Sequence, residues 1–270
     1  MGARRQASPR LSLPLSRAAQ MNSSTVRFLL VRGMLAGVLS GVLAFGLGYL
    51  VGEKPLRAAL DFEATHSAEA ATEVVSRSMQ ETAGLATGVL VFGAALGGIA
   101  ALAFCFALGR IGRFGPRATA ALIALGGFVT VFLVPFLKYP ANPPAVSDPD
   151  TLDQRTILYV LMVVLSVLLG IAAVLIGRYL GPRLGNWNAT VLASIAFVAA
   201  AALALAFGPA VNEMPEGFPA GVVWQFRLSA AGMQTVLWAA FAVIFGYLAE
   251  SVLQAQTLVP HRSPKPAPGI

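Results

Sequence analysis

Charged and uncharged positions alternate in long blocks along this chain. Six runs of 20 to 29 residues contain no Asp, Glu, Lys or Arg and are rich in Leu, Val, Ala, Phe and Gly. An ionised side chain at the centre of a bilayer costs at least about 2.5 kcal/mol, so such runs are typical of membrane spans. The runs lie between Arg32 and Glu53, Glu81 and Arg110, Arg117 and Lys138, Arg155 and Arg178, Arg183 and Glu213, and Arg227 and Glu250.

Each run is long enough to cross a membrane as an α-helix. Twenty helical residues rise about 30 Å, which matches the hydrocarbon core, and lipid offers the backbone no other hydrogen-bonding partner. We therefore predict an all-α fold, a polytopic transmembrane helical bundle of about six spans within one domain, 27–250. The predicted spans are 33–52, 83–109, 118–137, 156–177, 188–210 and 228–249.

The distribution of Lys and Arg predicts that both termini face the cytoplasm. The two tails and the loops at 110–117 and 178–183 hold 13 of these residues, whereas the remaining loops hold six. Positive residues concentrate on the cytoplasmic side of membrane proteins. We therefore predict a multi-pass protein of the inner (cytoplasmic) membrane, with eleven of the twelve acidic residues on the outer side.

The two tails differ in composition from the domain between them. Residues 1–26 are rich in Arg, Ser and Pro, which predicts a disordered segment or a mis-assigned start, with translation beginning at Met21. A cleaved signal peptide is the alternative. The long first run without an AxA-like site favours a retained span. Residues 251–270 end in a Pro-rich stretch and are predicted to be disordered.

Composition narrows the classes of function. The chain is 57% hydrophobic and 11% charged, so its net charge of +7 reflects topology and predicts no nucleic-acid partner. One cysteine, Cys105, excludes a disulfide framework, and two distant histidines, His66 and His261, leave little for His-based catalysis. P-loop, GxGxxG, GxSxG and HExxH motifs are missing from the sequence, so we predict neither an enzyme nor a bound cofactor.

Small residues recur at every fourth position in the first two spans. Such stripes let helix backbones approach closely and pack by van der Waals contact in lipid. We expect them to pack the two spans together rather than to line a substrate path. The stripes are Gly33, Gly37 and Gly41, then Gly84 and Gly88, and Gly93 and Gly97.

Polar side chains are scarce within the spans. We expect most of them to hydrogen-bond between helices or to a carbonyl of their own helix. Gln234 follows Arg227 by seven residues, on the same face of a helix, so the two side chains are candidates for one pathway. The polar residues near mid-span are Thr87, Thr130, Ser166, Ser194, Gln234 and Thr235.

The loops repeat a pattern. Residues 109–117 read GRIGRFGPR and residues 177–183 read GRYLGPR, and each opens a further span. A duplicated two-helix unit explains this pattern, and so does the general preference for Gly, Pro and Arg at cytoplasmic helix ends. The sequence alone favours neither explanation.

Two predicted outer segments, 138–155 and 212–227, combine several prolines with acidic, amide and aromatic residues. Proline-rich backbone is stiff and extended, and is suited to a re-entrant lid over a cavity. The alternative is a rigid loop at the membrane interface, anchored by Tyr139, Phe218 and Trp224.

The segment after the first span, 53–82, contains a candidate metal site. Glu63, His66 and Glu69 follow one another at intervals of three on a predicted polar helix. Imidazole and carboxylates on one face are ligands for a divalent ion. A solvated helix face is the alternative and accounts for the same residues.

Several strings resemble the CbtA family of predicted cobalt transporter subunits, in its actinobacterial form. They are VRGMLAGVLSGVLAF followed by EKPL, LVPFLKYPANPPAV, DPDTLDQRTILY, VNEMPEGFPAGVVWQFRLSAAGMQTVLW and a closing FGYLAE. The resemblance runs from about Arg27 to Glu250. It implies a multi-pass inner-membrane protein proposed to move cobalt, linked to cobalamin synthesis and paired with a small one-helix CbtB subunit.

The resemblance also implies a set of family-motif positions lining an outer pathway. Family members commonly carry a His-rich loop after the first span, where this chain has His66 alone. The alternative function is a non-transporting membrane scaffold that holds a partner by its outer loops, because few polar residues line the spans. The family-motif positions are Lys138, Tyr139, Pro140, Asn142, Asp148, Arg155, Asn212, Phe226 and Arg227.

Overall fold

The computed structural model describes residues 22–66, 85–143, 152–211 and 218–258, which form helices and short connections without a strand. The third span is built from two α-helices joined by one turn of π-helix. The elements are α1 Ser23–His66, α2 Leu85–Ala107, α3 Pro116–Gly127, a π segment Phe128–Leu133, α4 Val134–Lys138, α5 Leu152–Leu184, α6 Asn186–Phe207 and α7 Ala220–Leu258.

Six helices within the described residues are long and apolar enough to cross a membrane, which confirms the predicted all-α transmembrane bundle. The third of them combines α3, the π segment and α4. The spanning segments are Ser23–Gly52, Leu90–Ala107, Pro116–Lys138, Asp153–Leu184, Asn186–Phe207 and Ala220–Ala255.

Several helices extend beyond the uncharged runs from which the spans were predicted. Arg32, Arg155 and Arg227 all lie inside helices rather than at their boundaries. A charged side chain does not end a helix, because its long stem carries the charge to a partner or to water. Uncharged runs therefore locate a span in the sequence, but the charged residues that flank a run do not mark the ends of the helix.

The crossing of α1 and α2 depends on four glycines. Gly33 and Gly37 of α1 face Gly97 and Gly93 of α2, and a Cβ atom at any of the four would overlap the opposite helix. This contact confirms the predicted packing role of these positions. A Cβ at Gly88 would meet open space, so the expected packing does not extend to that residue.

The larger of the two clusters of buried apolar side chains joins α1, α2, α3 and α7. Phe104, Phe241 and Phe245 lie at its centre, with the rings of Phe104 and Phe245 edge to face. By contrast, only 11% of the spanning window of α5, and likewise of α6, is buried within the chain. These two helices pack mainly on each other, and the third span joins them to the rest of the bundle.

Polar contacts at the predicted cytoplasmic end hold α7 in place. Arg32 of α1 donates to the Leu248 carbonyl at 2.9 Å and to the Ser251 hydroxyl at 2.8 Å. Arg117 of α3 pairs with Glu250 and lies over the ring of Tyr247. These contacts give the FGYLAE string a structural role.

Candidate functional site

The third span changes its helical register before it reaches the predicted outer end. The Val134 N–H bonds the Val129 carbonyl, five residues back, which is the π pattern. In that pattern the Thr130 carbonyl would accept from residue 135, but Pro135 has no N–H to donate. The hydroxyl of Ser166, fully buried on α5, contacts the Thr130 carbonyl oxygen instead. The π turn thus depends on a proline and on a serine from another helix.

A proline inside α1 also leaves a carbonyl without its helical donor, and a hydroxyl from another helix contacts that carbonyl. Pro55 leaves the Val51 carbonyl without its helical donor. The hydroxyl of Ser229, on α7, lies 3.2 Å from that oxygen and also 2.9 Å from the Gln225 carbonyl. In both places a hydroxyl on a neighbouring helix contacts the carbonyl oxygen that the proline leaves without its helical donor.

Four side chains tie residues 138–142, which follow the π segment, to three other helices or their ends. Lys138 Nζ donates to the Leu205 carbonyl at 2.8 Å, and the Tyr139 hydroxyl donates to the Pro209 carbonyl at 2.9 Å. Arg155 Nη2 of α5 donates to the Pro140 carbonyl at 2.8 Å. We call residues 138–142 and these partners the outer clamp.

Arg227 of α7 makes the fourth connection of the outer clamp. Its Nη2 donates to Asn142 Oδ1 at 2.9 Å, and its Nε lies 3.4 Å from the Ala141 carbonyl oxygen. Two guanidinium groups, from α5 and α7, are thereby held against consecutive residues of one loop. Charge-assisted hydrogen bonds of this kind are stronger than neutral ones, so the outer clamp fixes the ends of four helices relative to one another.

Tyr139 is buried, with 5% of its surface exposed, which bears on its predicted role as an anchor at the membrane interface. A residue that anchors a loop at the membrane interface would be exposed, as Trp224 is on α7. Tyr139 packs inward instead, and the interfacial role is wrong for this residue. Burial raises the pKa of its phenol above the ordinary value, and the protonated hydroxyl donates to the Pro209 carbonyl.

A cavity of about 450 Å³ lies beside the outer clamp, between the third span, the start of α5 and the middle of α7. Its volume is in the range of small-molecule sites in proteins. Apolar side chains form much of the wall, with polar groups among them. The lining residues are Phe132, Phe136, Tyr139, Ala141, Arg155, Thr156, Tyr159, Ala230, Met233 and Gln234.

The cavity lining includes polar as well as apolar side chains. Arg155 is the one charged residue among the described lining residues. The side-chain amide of Gln234 makes no hydrogen bond with any described residue. Arg227 is next to the cavity, since it binds the lining residue Ala141. Arg227 and Gln234 therefore occupy neighbouring positions around this cavity. Their role in a common pathway stays a prediction.

The structure brings together six of the nine family-motif positions at the outer clamp: Lys138, Tyr139, Pro140, Asn142, Arg155 and Arg227. Phe226 lies half-buried on α7 beside them in sequence. Asp148 and Asn212 lie outside the described residues. The predicted roles of all nine positions in a pathway stay predictions.

The candidate metal ligands lie elsewhere in the chain. Glu63 and His66 fall in the last turn of α1, and Glu69 lies outside the described residues. Within 22–66, 85–143, 152–211 and 218–258, no three His, Cys, Asp or Glu residues are grouped as metal ligands would be. The metal site at these three residues therefore stays a prediction.

Sequence reasoning missed the π segment and the residues that complete it. Pro135 inside an uncharged run was the available signal, because a proline within a span leaves a carbonyl that another helix must satisfy. Ser166 could be identified only as one of several polar residues expected to bond between helices, and its contact with Thr130 confirms that expectation.

These features define a class, a multi-pass membrane protein. Its described residues include six helices long and apolar enough to span a membrane and a cavity of ligand size beside the outer clamp. The chain belongs to the CbtA family, described as probable cobalt transporter subunit, whose family model matches residues 26–250. Curated proteins and solved structures gave no match. The family is one of transporter subunits, which implies a partner subunit and does not favour the scaffold alternative.

Proposed function

We propose that this chain is the subunit through which cobalt crosses the cytoplasmic membrane, that it supplies cobalamin synthesis, and that it works with a small one-helix CbtB-like subunit. The observation that carries the proposal is the family match over residues 26–250, almost the whole helical bundle. Six spanning helices and a half-buried polar outer end support it further.

The first capture of the metal is assigned to Glu63, His66 and Glu69. Imidazole nitrogen and carboxylate oxygen are suitable ligands for Co²⁺, and three ligands of this kind bind it weakly enough to release it. The outer clamp has a different role in the proposal. Its cationic side chains do not coordinate metal, but they fix α4, α5, α6 and α7, whose spacing determines the width of a path.

Uptake of radioactive cobalt by cells with and without the gene tests the proposal. Cells with the gene should accumulate more cobalt, and His66→Ala should raise the cobalt concentration needed for half-maximal uptake severalfold. His261→Ala, in the C-terminal tail, is the matched control and should behave as the wild type. Equal uptake with and without the gene would overturn the proposal, and equal effects of the two histidine variants would remove His66 from the capture site.

A further inference from the structure

A tryptophan in the core of the bundle carries a hydrogen-bond donor that meets no acceptor among the described residues. Trp238 of α7 has 5% of its surface exposed, and its indole Nε1 has no hydrogen-bond partner there. The residue lies near the middle of the spanning segment Ala220–Ala255, at a depth where lipid offers no acceptor. Buried polar groups are almost always paired, either with protein or with ordered water. The Nε1–H group therefore points to a bound molecule.

The packing of Trp238 directs this nitrogen away from α3. A Cβ added to Gly127 of α3 would overlap Cε3, Cζ3 and Cη2 of the indole, so that edge of the ring faces α3. Nε1 belongs to the opposite edge. Trp238 also lines a cavity of about 10 Å³ between α7, α1 and α2, together with Gly37, Ser40 and Gly97. The edge that carries the nitrogen is thus left for this cavity, beside the glycine crossing.

The cavity has the size and the polar wall that one water molecule requires. Its volume is close to the smallest space that holds a water, which excludes larger ligands. Ser40 is fully buried and donates its hydroxyl proton to the Ala36 carbonyl at 2.7 Å, so its oxygen can still accept a hydrogen bond. Gly37 and Gly97 have no side chain and therefore contribute backbone to the wall.

The two polar side chains of this wall are complementary to water. Trp238 offers a donor without an acceptor, and Ser40 offers an acceptor on a hydroxyl whose own proton is already used. A water molecule matches both, because it accepts one hydrogen bond and donates another.

We infer that one water molecule is bound in this cavity, where it accepts a hydrogen bond from Trp238 Nε1 and donates one to Ser40 Oγ. The water joins α7 to the glycine crossing of α1 and α2 near the middle of the membrane. The inference does not depend on cobalt being the transported ion. Its test measures binding of water and no uptake, so each proposal can fail while the other holds.

Nuclear magnetic resonance of the full chain in detergent micelles, with ¹⁵N-labelled tryptophan, tests the inference. Trp187 and Trp224 are the other two tryptophans, and both are exposed. Replacing both by Phe leaves the indole signal of Trp238 alone and requires no substitution in the core. The measurement is the nuclear Overhauser effect between water and the Trp238 Nε1–H proton.

The Trp238 signal should show an Overhauser effect from water, with the sign given by a water that stays bound rather than by rapidly exchanging solvent. Ser40→Ala should weaken this effect severalfold without abolishing it, because the water loses one partner and keeps Trp238. Ser194→Ala is the matched control, since Ser194 is exposed on α6, and it should leave the effect unchanged.

The inference is overturned if the Trp238 proton shows no effect from water while Ser40 is intact. Complete loss of the effect in Ser40→Ala also overturns it, because the signal would then have reached Trp238 through exchange of the serine hydroxyl proton. An unchanged effect in Ser40→Ala, or an equal loss in Ser194→Ala, would show that Ser40 does not hold the water and would overturn the inference as well.

Discussion

Two regions of the bundle join helices by different physical means. Where α1 crosses α2, four glycines bring the backbones together, and the buried Ser40 hydroxyl bonds within α1, to the Ala36 carbonyl. At the outer clamp, side chains reach across to carbonyl and amide oxygens of other elements. Lipid is as apolar as the helices, so the first region depends on close contact and the second on hydrogen bonds. An atom added at the glycine crossing should therefore destabilise the bundle. The loss of a hydrogen-bond donor from the outer clamp should do the same.

Gly37→Leu is the strongest challenge to the glycine crossing. A Cβ at this position overlaps the backbone of Gly93, so the helices must separate along their contact. We expect a loss of about 3 kcal/mol or more in stability, or failure to obtain folded protein. Size-exclusion chromatography and thermal unfolding in detergent measure the effect.

Gly88→Leu is the matched control on α2, because Gly88 is exposed and an added Cβ there meets open space. It should melt close to the wild type. If the two variants melt at the same temperature, the close glycine contact does not hold α1 and α2 together.

Ser166→Ala removes the hydroxyl that satisfies the Thr130 carbonyl in the π segment. A buried acceptor left without a donor costs about 1 to 3 kcal/mol, so the melting temperature should fall. Ser194→Ala on α6, where the side chain is exposed, should leave it nearly unchanged.

A second substitution makes this prediction specific to the proline. Pro135→Ala restores a backbone N–H, so Ser166→Ala should cost less in that background than in the wild type. Equal costs in the two backgrounds would show that Ser166 does not replace the donor missing at Pro135.

Arg117→Gln, at the predicted cytoplasmic end, should have the smallest effect. The Arg117 side chain is 62% exposed, and surface ion pairs contribute about 1 kcal/mol or less. The melting temperature should change slightly, and by less at high salt. A large, salt-independent loss would mean that the pair with Glu250 is a main support of α7.

The sequence predicted the spans and one of their contacts because both depend on local patterns. Lipid excludes charge and favours small residues at close crossings, so uncharged runs marked the helices and Gly33, Gly37, Gly93 and Gly97 marked a crossing. Each of these features can be recognised within one short stretch of the sequence.

The polar outer end could be predicted only in part. The family resemblance selected Asn142 and Arg227, but their hydrogen bond joins positions 85 residues apart. The π segment depends likewise on Pro135 and Ser166, two residues from different spans. Pairings between distant helices follow from how the helices are rotated and shifted, which a one-dimensional pattern does not specify.

A double-mutant cycle on cobalt uptake tests the proposal that the outer clamp sets the width of the path for cobalt. We expect Asn142→Ala, Arg227→Ala and the double variant all to lower the rate of radioactive cobalt uptake at matched protein abundance. The two losses should not multiply in the double variant, because both substitutions break the same hydrogen bond. Arg227→Ala should lose at least as much as Asn142→Ala, because it also removes the contact with the Ala141 carbonyl. Wild-type uptake in all three variants, or losses that multiply in the double variant, would mean that the outer clamp does not set this path.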